Sequence, residues 1–299
     1  MDYLTKKLEM QEAIIEYSHR YFLSNGFKPI QSPKIVPFID DEEGHLIKVY
    51  IPGKEDEKLF LSRSPQLYKE IASLKTGNGK VYELGPVFRG EPFGGGRRAN
   101  EFLGLDVEIR TNELSAVTDV LTDFVLNAKH DDNLVKTLKK YSDKINIPDV
   151  VVPITYVEAT KLLACDEIGA VEEKRLSEKI KSKNVNSWIL LTEFPSKSRG
   201  FYQLKGNELS DSFDLIADWE ICSGGLRRRD IKEYIQLLHD IGWSVKEFEP
   251  YINIINDHLN QNTGGFGIGL ERLVGTMIGT NIIEELQPYP RIPDNKILF

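Results

Sequence analysis

Residues 87–102, VFRGEPFGGGRRANEF, place three consecutive glycines between two charged segments. Apolar residues alternate with other residues in KVYELGPVF before the loop and in EFLGLDVEIR after it, and this period of two predicts a pair of β-strands. The glycines therefore belong to a hairpin loop. Because glycine loses much backbone entropy on ordering, such a loop is either an idle hairpin tip or a backbone that approaches a ligand closely.

The rest of the chain contains further strands around this hairpin and helices in separate blocks. Apolar spacing predicts helices at 3–24, at 113–140, as a short pair at 157–182 and at 230–260, and Ser64-Pro65 is typical of a helix start. SWILLTEF, FYQLKG and SFDLIADWEI are strand candidates, and GGFGIGLER at 264–272 indicates a strand running into a helix. This order predicts an α+β fold with a mostly antiparallel sheet, formed as one domain over residues 1–299. We expect residues 130–185 to be a helical insertion with a solvated surface.

The composition excludes several classes of protein. Two cysteines without a CxxC motif exclude a disulfide framework or a zinc knuckle, and they favour a reducing, cytoplasmic location. No run of about 18 apolar residues predicts a membrane span, and the charged N-terminal segment is not a signal peptide. The net charge of −8 is no footprint of a nucleic-acid-binding protein, although an acidic chain can still carry a local basic patch.

Three segments combine small residues with arginines and glutamates: residues 89–102, EICSGGLRR at 220–228 and GGFGIGLER at 264–272. Glycines allow a substrate to approach the backbone, and the planar guanidinium binds both oxygens of a phosphate or a carboxylate at once. SRSPQLYKE at 62–70 is a fourth charged segment. Their recurrence in one chain argues against coincidence, whereas GFGIGLER alone would be typical of a tight strand-to-helix junction.

These segments resemble the class II aminoacyl-tRNA synthetases. Residues 87–108 resemble motif 2 of that family, residues 264–273 resemble motif 3, and NGFKPIQSPKI at 25–35 resembles the proline-bearing motif 1. The segments at 62–70 and 220–228 are similar to those of the aspartate/asparagine branch. The resemblance implies a catalytic core with an antiparallel sheet flanked by helices, and its motif 1 implies a homodimer.

The resemblance also implies an ATP site with magnesium. The catalytic residues would be Arg89, on the α-phosphate, and Arg272, on the adenine and the γ-phosphate. The other implied contacts are Glu91 and Phe102 to adenine, Arg97 and Arg98 to the terminal phosphates, and Glu220 and Ser223 to Mg²⁺. Arg98 stands where the family has a histidine, but it retains a cation. Without the resemblance, Phe102 is typical of a packed core, and Arg97 and Arg98 are typical of solvated loop charges.

The same resemblance implies an aspartate-binding end of the site. Lys69 and Arg227 would bind the side-chain carboxylate, Asp106 would hold these two cations, and Gln66 and Glu43 would bind the α-ammonium group. Two cations that face one pocket select aspartate over neutral asparagine. Without the resemblance, Lys69 is equally well interpreted as a solvated lysine on a helix.

The acceptor of the activated aspartate is less defined. Because the sequence begins at the helix before motif 1, we expect no anticodon-binding domain. The chain then resembles the archaeal stand-alone asparagine synthetase related to asparaginyl-tRNA synthetase. CSGGLR and QPYPRIP resemble segments of that enzyme. The acidic charge and the glycine loop also favour ammonia over tRNA as the acceptor. A truncated synthetase that charges tRNA or another acceptor, and a non-catalytic regulatory paralogue, are the alternatives.

Overall fold

The computed structural model describes residues 2–37, 46–182, 186–200, 202–204, 206, 208–228, 230–240 and 244–293. Helices in this part of the chain occur in blocks between strands, as the sequence predicts. They are α1 (Tyr3–Ser24), α2 (Gln66–Lys75), α3 (Leu114–Asn127), α4 (Asp132–Lys139), α5 (Tyr156–Leu163), α6 (Ala170–Lys181), α7 (Ile231–Asp240), α8 (Val245–Asn256) and α9 (Leu270–Ile278).

The strands form two sheets. They are β1 (Lys28–Pro29), β2 (Ile35–Val36), β3 (Lys48–Val49), β4 (Leu59–Leu61), β5 (Lys80–Phe88), β6 (Glu101–Arg110), β7 (Val150–Thr155), β8 (Ser187–Thr192), β9 (Ser212–Ile216), β10 (Glu220–Leu226) and β11 (Thr263–Gly269). The large sheet has eight strands in the order β1-β5-β6-β11-β10-β9-β8-β7, and β2, β4 and β3 form a small sheet. All pairs in the large sheet are antiparallel except β1–β5 and β7–β8 at its two edges. The predicted α+β fold with an antiparallel-dominated sheet is confirmed.

The hairpin of β5 and β6 has two faces with different tasks. Leu105, Val107 and Ile109 of β6 join the largest apolar cluster together with residues of α1 and α3. Within that cluster Phe22 of α1 stacks on Tyr82 of β5 at 5.2 Å between ring centroids. Because side chains alternate along a strand, Asp106 and Glu108 point to the opposite face. The face that packs against α1 and α3 therefore anchors the sheet, and the opposite face carries the acidic side chains.

Two local details differ from the sequence predictions. The helix predicted at 113–140 is interrupted, because Asp131 caps the start of α4 by accepting a hydrogen bond from the Leu134 N–H at 2.9 Å. Helix α2 begins at Gln66 and not at Pro65, and the Ser64 hydroxyl accepts from the Gln66 N–H at 3.1 Å. Both start signals are side-chain oxygens, as expected, and only their positions along the chain differ.

The stretch from 130 to 185 is not purely helical. It contributes β7, whose residues pair with β8 at the edge of the large sheet. Helices α5 and α6 pack on this edge through buried Ala159, Leu163, Leu176 and Ile180. The stretch is therefore continuous with the main fold over its described residues.

None of the helices in the described ranges is long and apolar enough to cross a membrane.

Candidate active site

One cleft collects the motif residues on the face of the sheet opposite α1 and α3. Its volume is about 310 Å³, and strands β5, β6, β10 and β11 line it together with α2 and α9. Twelve of the thirteen predicted site residues line this cleft: Gln66, Lys69, Arg89, Glu91, Arg97, Arg98, Phe102, Asp106, Glu220, Ser223, Arg227 and Arg272. The thirteenth, Glu43, lies outside the described residues.

The outer end of the cleft contains the residues that the sequence assigns to ATP. Arg89 is exposed at the end of β5, and its guanidinium lies 5.5 Å from the centroid of the Phe102 ring. Arg272, in the first turn of α9, is far more buried, and its guanidinium donates to the Glu220 carbonyl at 3.4 Å. Burial lowers the pKa of Arg272, and the neighbouring Arg89 and Arg98 act in the same direction. Two guanidinium groups and a ring thus line a space suited to a phosphorylated base.

The loop between β5 and β6 holds its arginines by weak contacts. Arg98 forms an exposed ion pair with Glu91 at 2.8 Å, and Arg97 lies 5.6 Å from the ring centroid of Trp219. Gly95 and Gly96 have φ angles of +53° and +76°, which side-chain-bearing residues rarely adopt. The loop is not free of large side chains, however, because Phe93 is 67% exposed beside these glycines.

The inner end of the cleft holds Lys69, the lysine of α2. Lys69 is buried, and its ammonium donates to Asp106 Oδ1 at 2.9 Å and to the Phe266 carbonyl at 3.1 Å. These two contacts use two of its three protons. The structure therefore makes Lys69 a buried, paired cation of the cleft wall and not a solvated helix lysine.

Arg227 is the second buried cation, and its partner differs from the predicted one. Its Nε and Nη2 donate to the two oxygens of Glu108 at 2.9 and 2.8 Å. Burial alone would lower the pKa of Arg227, but the Glu108 carboxylate outweighs burial and raises it. Asp106 thus holds Lys69 only, and Glu108, which the sequence analysis missed, holds Arg227. The strand period contained the signal, because residues 106 and 108 must share one face of β6.

Glycines of β11 make room for both acids. Gly265 lies opposite Glu108 and Gly267 opposite Asp106 in the β6–β11 register. A Cβ atom at Gly265 would lie 2.3 Å from Glu108 Oε2, and one at Gly267 would lie 3.1 Å from Asp106 Oδ1. The glycine pattern of GGFGIGLER therefore accommodates the carboxylates that hold the two cations.

The predicted magnesium ligands lie three residues apart on β10, whose pairing with β9 shifts register between Glu220 and Cys222. Glu220 and Ser223 both line the cleft, and the Arg199 guanidinium donates to the Ser223 hydroxyl at 3.2 Å. Arg199 also pairs with buried Asp214 at 2.9 Å, on the adjacent strand β9. Burial raises the pKa of Asp214 to about 6, although Arg199 opposes the shift. The sequence analysis missed both Arg199 and Asp214.

Glu220 and Ser223 fit a metal that takes most of its ligands from elsewhere. Within the part of the chain that the structure describes, no three His, Cys, Asp or Glu side chains are grouped as a metal site. A carboxylate and a hydroxyl are hard oxygen donors, and Mg²⁺ usually completes its shell with phosphate oxygens and water. The donor set is therefore compatible with magnesium bound together with a nucleotide.

Helix α6, in the stretch at 130–185, contacts the cleft residue Glu220 from outside the cleft. Its Glu173 accepts a hydrogen bond from the Glu220 N–H at 2.9 Å, and burial raises the pKa of the Glu173 carboxyl group. The expectation of a solvated surface is wrong for this residue. The sequence offered no signal, because α6 is distant from β10 along the chain and carries several glutamates of similar appearance.

The sequence matches a known protein family over nearly its whole length. The model of the class II tRNA synthetases (D, K and N) matches residues 2–293. The chain belongs to this family. The aspartate–tRNA(Asp) ligase of Thermoplasma volcanium is 31% identical over 94% of this chain and 67% of its own length. The aspartate–tRNA(Asp/Asn) ligase of Archaeoglobus fulgidus is 31% identical over 92% of this chain and 65% of its own length.

Solved structures of the family have the same fold. The asparaginyl-tRNA synthetase of Pyrococcus horikoshii, complexed with asparaginyl-adenylate, matches with a TM-score of 0.87 at 22% identity. That match covers 99% of this chain and 70% of the other. The chain thus spans about two thirds of the length of these family members. The family match also runs through residues 130–185, where the sequence analysis recognised no motif.

Proposed function

We propose that this chain activates aspartate with ATP to form aspartyl-adenylate and pyrophosphate. The observation that carries the proposal is the pair of buried cations, Lys69 and Arg227, in the same cleft as Arg89 and Arg272. Ammonium and guanidinium groups are donors only, so they bind the oxygens of a carboxylate and do not themselves accept from an amide NH₂ group. This lining favours aspartate over asparagine even though Asp106 and Glu108 already balance the charge.

The chemistry requires no nucleophile from the protein. An oxygen of the α-carboxylate of aspartate bonds to the α-phosphorus of ATP, and the bond from that phosphorus to the pyrophosphate oxygen breaks. Arg89 would stabilise the charge that develops on the α-phosphate, and the cleft would hold the two substrates in line. Magnesium, bound with the help of Glu220 and Ser223, would neutralise phosphate charge.

The relatives favour tRNA as the acceptor of the activated aspartate. The curated relatives named above are aspartate–tRNA ligases. The exposed Phe93 also weakens the expectation that the glycine loop has no side chain to offer a nucleic acid, because an aromatic ring can stack on a base. We therefore place transfer to tRNA ahead of the reaction with ammonia that the sequence analysis preferred.

Ammonia remains the second candidate acceptor. The three glycines in the loop and the net charge of −8 support it, and both belong to the sequence itself. A non-catalytic regulatory paralogue has less support, because such a protein would be free to lose Arg89, Glu220 and Arg272. We also propose a homodimer, as motif 1 implies, and size-exclusion chromatography with light scattering tests this separately.

Pyrophosphate exchange with each of the twenty amino acids tests the proposal. We expect exchange with aspartate, and a lack of exchange with aspartate would refute the assignment of the pocket. Labelled aspartate with bulk tRNA should then give acid-precipitable product. Formation of free asparagine from ammonium, without tRNA charging, would instead identify an asparagine synthetase.

Two variants test the amino-acid end of the cleft. Lys69→Gln and Arg227→Lys should raise the KM for aspartate roughly tenfold or more, since each removes a hydrogen bond between charged groups, and should change the KM for ATP little. Lys75→Gln on the exposed side of the same helix is the matched control. Equal losses for aspartate and ATP would show that the pocket is elsewhere.

A further inference from the structure

We propose that Gln203 is a further substrate-binding residue, which accepts a hydrogen bond from the α-ammonium group of the amino acid. This inference rests on the proposed activation of aspartate and adds a specific contact to it. No motif singles out Gln203 in the sequence.

Gln203 has an acceptor without a donor. The residue is only 4% exposed and lines the cleft, and its Oε1 has no hydrogen-bond partner among the residues that the structure describes. Buried polar atoms in folded proteins are almost always paired, because an unpaired one costs free energy of folding. An unpaired acceptor in the wall of a binding cleft indicates that the donor arrives with the substrate.

The backbone fixes Gln203 beside Arg227. The two residues form an isolated antiparallel bridge, and hydrogen bonds from Leu204 N to the Leu226 carbonyl, at 2.8 Å, and from Arg228 N to the Tyr202 carbonyl, at 2.9 Å, flank it. Residues directly opposite in such a bridge project to the same face, with Cβ atoms about 4.5–5.5 Å apart. Gln203 therefore lies next to the cation that we assign to the side-chain carboxylate of aspartate.

The chemistry of aspartate selects the group that Gln203 binds. At neutral pH both carboxylates are acceptors only, so the α-ammonium group is the sole donor on the molecule. This group lies within a few bonds of the side-chain carboxylate, so neighbouring residues can bind both. Lys69 and Arg227 cannot hold an ammonium group because they are donors themselves.

Gln66 is complementary to Gln203. The Nε2 of Gln66 is a donor, and it is buried without a hydrogen-bond partner in the described part of the chain. This donor suits a carboxylate oxygen, and the Oε1 of the same amide is the atom that could accept from the α-ammonium group, as the sequence predicts. The two buried glutamines would thus offer one acceptor and one donor to a zwitterionic substrate.

Gln203→Met tests the inference, with Gln261→Met as the matched control. The Oε1 of Gln261 also lacks a partner among the described residues, but Gln261 does not line the cleft. We expect Gln203→Met to raise the KM for aspartate in pyrophosphate exchange roughly tenfold, since a hydrogen bond to a charged group is lost. The KM for ATP should change less than about twofold, and the melting temperature should not fall, because an unpaired buried acceptor is removed.

Two further measurements separate the α-ammonium from the carboxylates. Succinate, which is aspartate without its amino group, should inhibit the wild type and Gln203→Met equally. Gln203→Glu keeps an acceptor and loses the donor, so its KM for aspartate should stay within about threefold of the wild type. If succinate binding weakens in Gln203→Met and Gln203→Glu loses aspartate, the residue donates to a carboxylate and the α-ammonium assignment is wrong.

The remaining outcomes are also decisive. An unchanged KM for aspartate in Gln203→Met would overturn the inference about Gln203 but not the proposed function. Equal increases in the KM for aspartate and for ATP, together with a lower melting temperature, would do the same. A wild type that supports exchange with none of the twenty amino acids would refute the proposed function, and the role of Gln203 would fall with it.

Discussion

The two ends of the cleft hold their cations in opposite ways. At the inner end Lys69 and Arg227 are buried, and each has its own carboxylate partner on β6. At the outer end Arg272 is partly buried. Arg89, however, is exposed, and Arg98 pairs with Glu91 while 57% of its side chain stays exposed. The contrast indicates that the inner end is built before a ligand arrives and that the outer end assembles around one.

The physical reason lies in desolvation. A buried charge requires a partner because its hydration is lost, and rigid strands then hold both groups in place. An exposed guanidinium retains its water and moves at little cost. In the proposed function, the rigid end would select the amino acid and the loop would close over the nucleotide.

Removing the carboxylate of the inner pair should have the largest effect on stability. Glu108→Gln leaves Arg227 buried without a counter-ion, and we expect a loss of about 3–5 kcal/mol in the free energy of unfolding. Glu91→Gln is the matched control in the exposed pair and should cost about 0–1 kcal/mol. Urea denaturation of both variants measures the difference, and similar losses would contradict the contrast between the two ends.

Removing Arg89 should affect catalysis without affecting the fold. We expect Arg89→Ala to slow pyrophosphate exchange by about 10²–10³-fold, because a stabilising charge at the reacting phosphate is lost. The free energy of unfolding should change by no more than about 0.5 kcal/mol, since the side chain is exposed. A large loss of stability would show that the outer end is built as rigidly as the inner one.

The carboxyl group of Asp214, on β9, should make the free energy of unfolding depend on pH. Its pKa is raised from 3.8 to about 6, so the folded protein binds this proton more tightly than the unfolded chain does. Stability from this group is present below about pH 4 and is lost as the pH rises towards 6, by an amount on the order of 3 kcal/mol. We expect the free energy of unfolding of the wild type, measured without Mg²⁺ and relative to that of Asp214→Asn, to decline over this pH range. An increase with pH would mean that Arg199 dominates over burial.

Arg98 should have the smallest effect. Arg98→Ala removes an exposed ion pair, so the free energy of unfolding should change by less than about 0.5 kcal/mol. If Arg98 contacts the terminal phosphates, the KM for ATP should rise about threefold to fivefold. The effect is small because a partly solvated ion pair contributes little binding free energy. An unchanged KM for ATP, measured in pyrophosphate exchange at saturating aspartate, would show that Arg98 is a solvated charge of the loop and not an ATP-binding residue.

The sequence predicted the parts of the molecule that depend on local pattern. Alternation in residues 80–110 correctly predicted the β5–β6 hairpin, and the helical spacing at 3–24 matches α1. The motif residues of both ends come together in one cleft. The interruption at Asp131 was missed because a capping aspartate is also common on the surface of a continuous helix.

The family, the antiparallel sheet and twelve of the residues that line the cleft were thus determined by the sequence itself, because glycine spacing, strand period and charged motifs are local properties. Only the tertiary structure decided that Glu108 holds Arg227, that Glu173 of α6 supports Glu220, and that Gln203 lies beside Arg227. These contacts join segments from 24 to 119 residues apart, and several acids or amides in each segment could have made them. Strand register and burial select among such candidates, and neither quantity exists until the chain is folded.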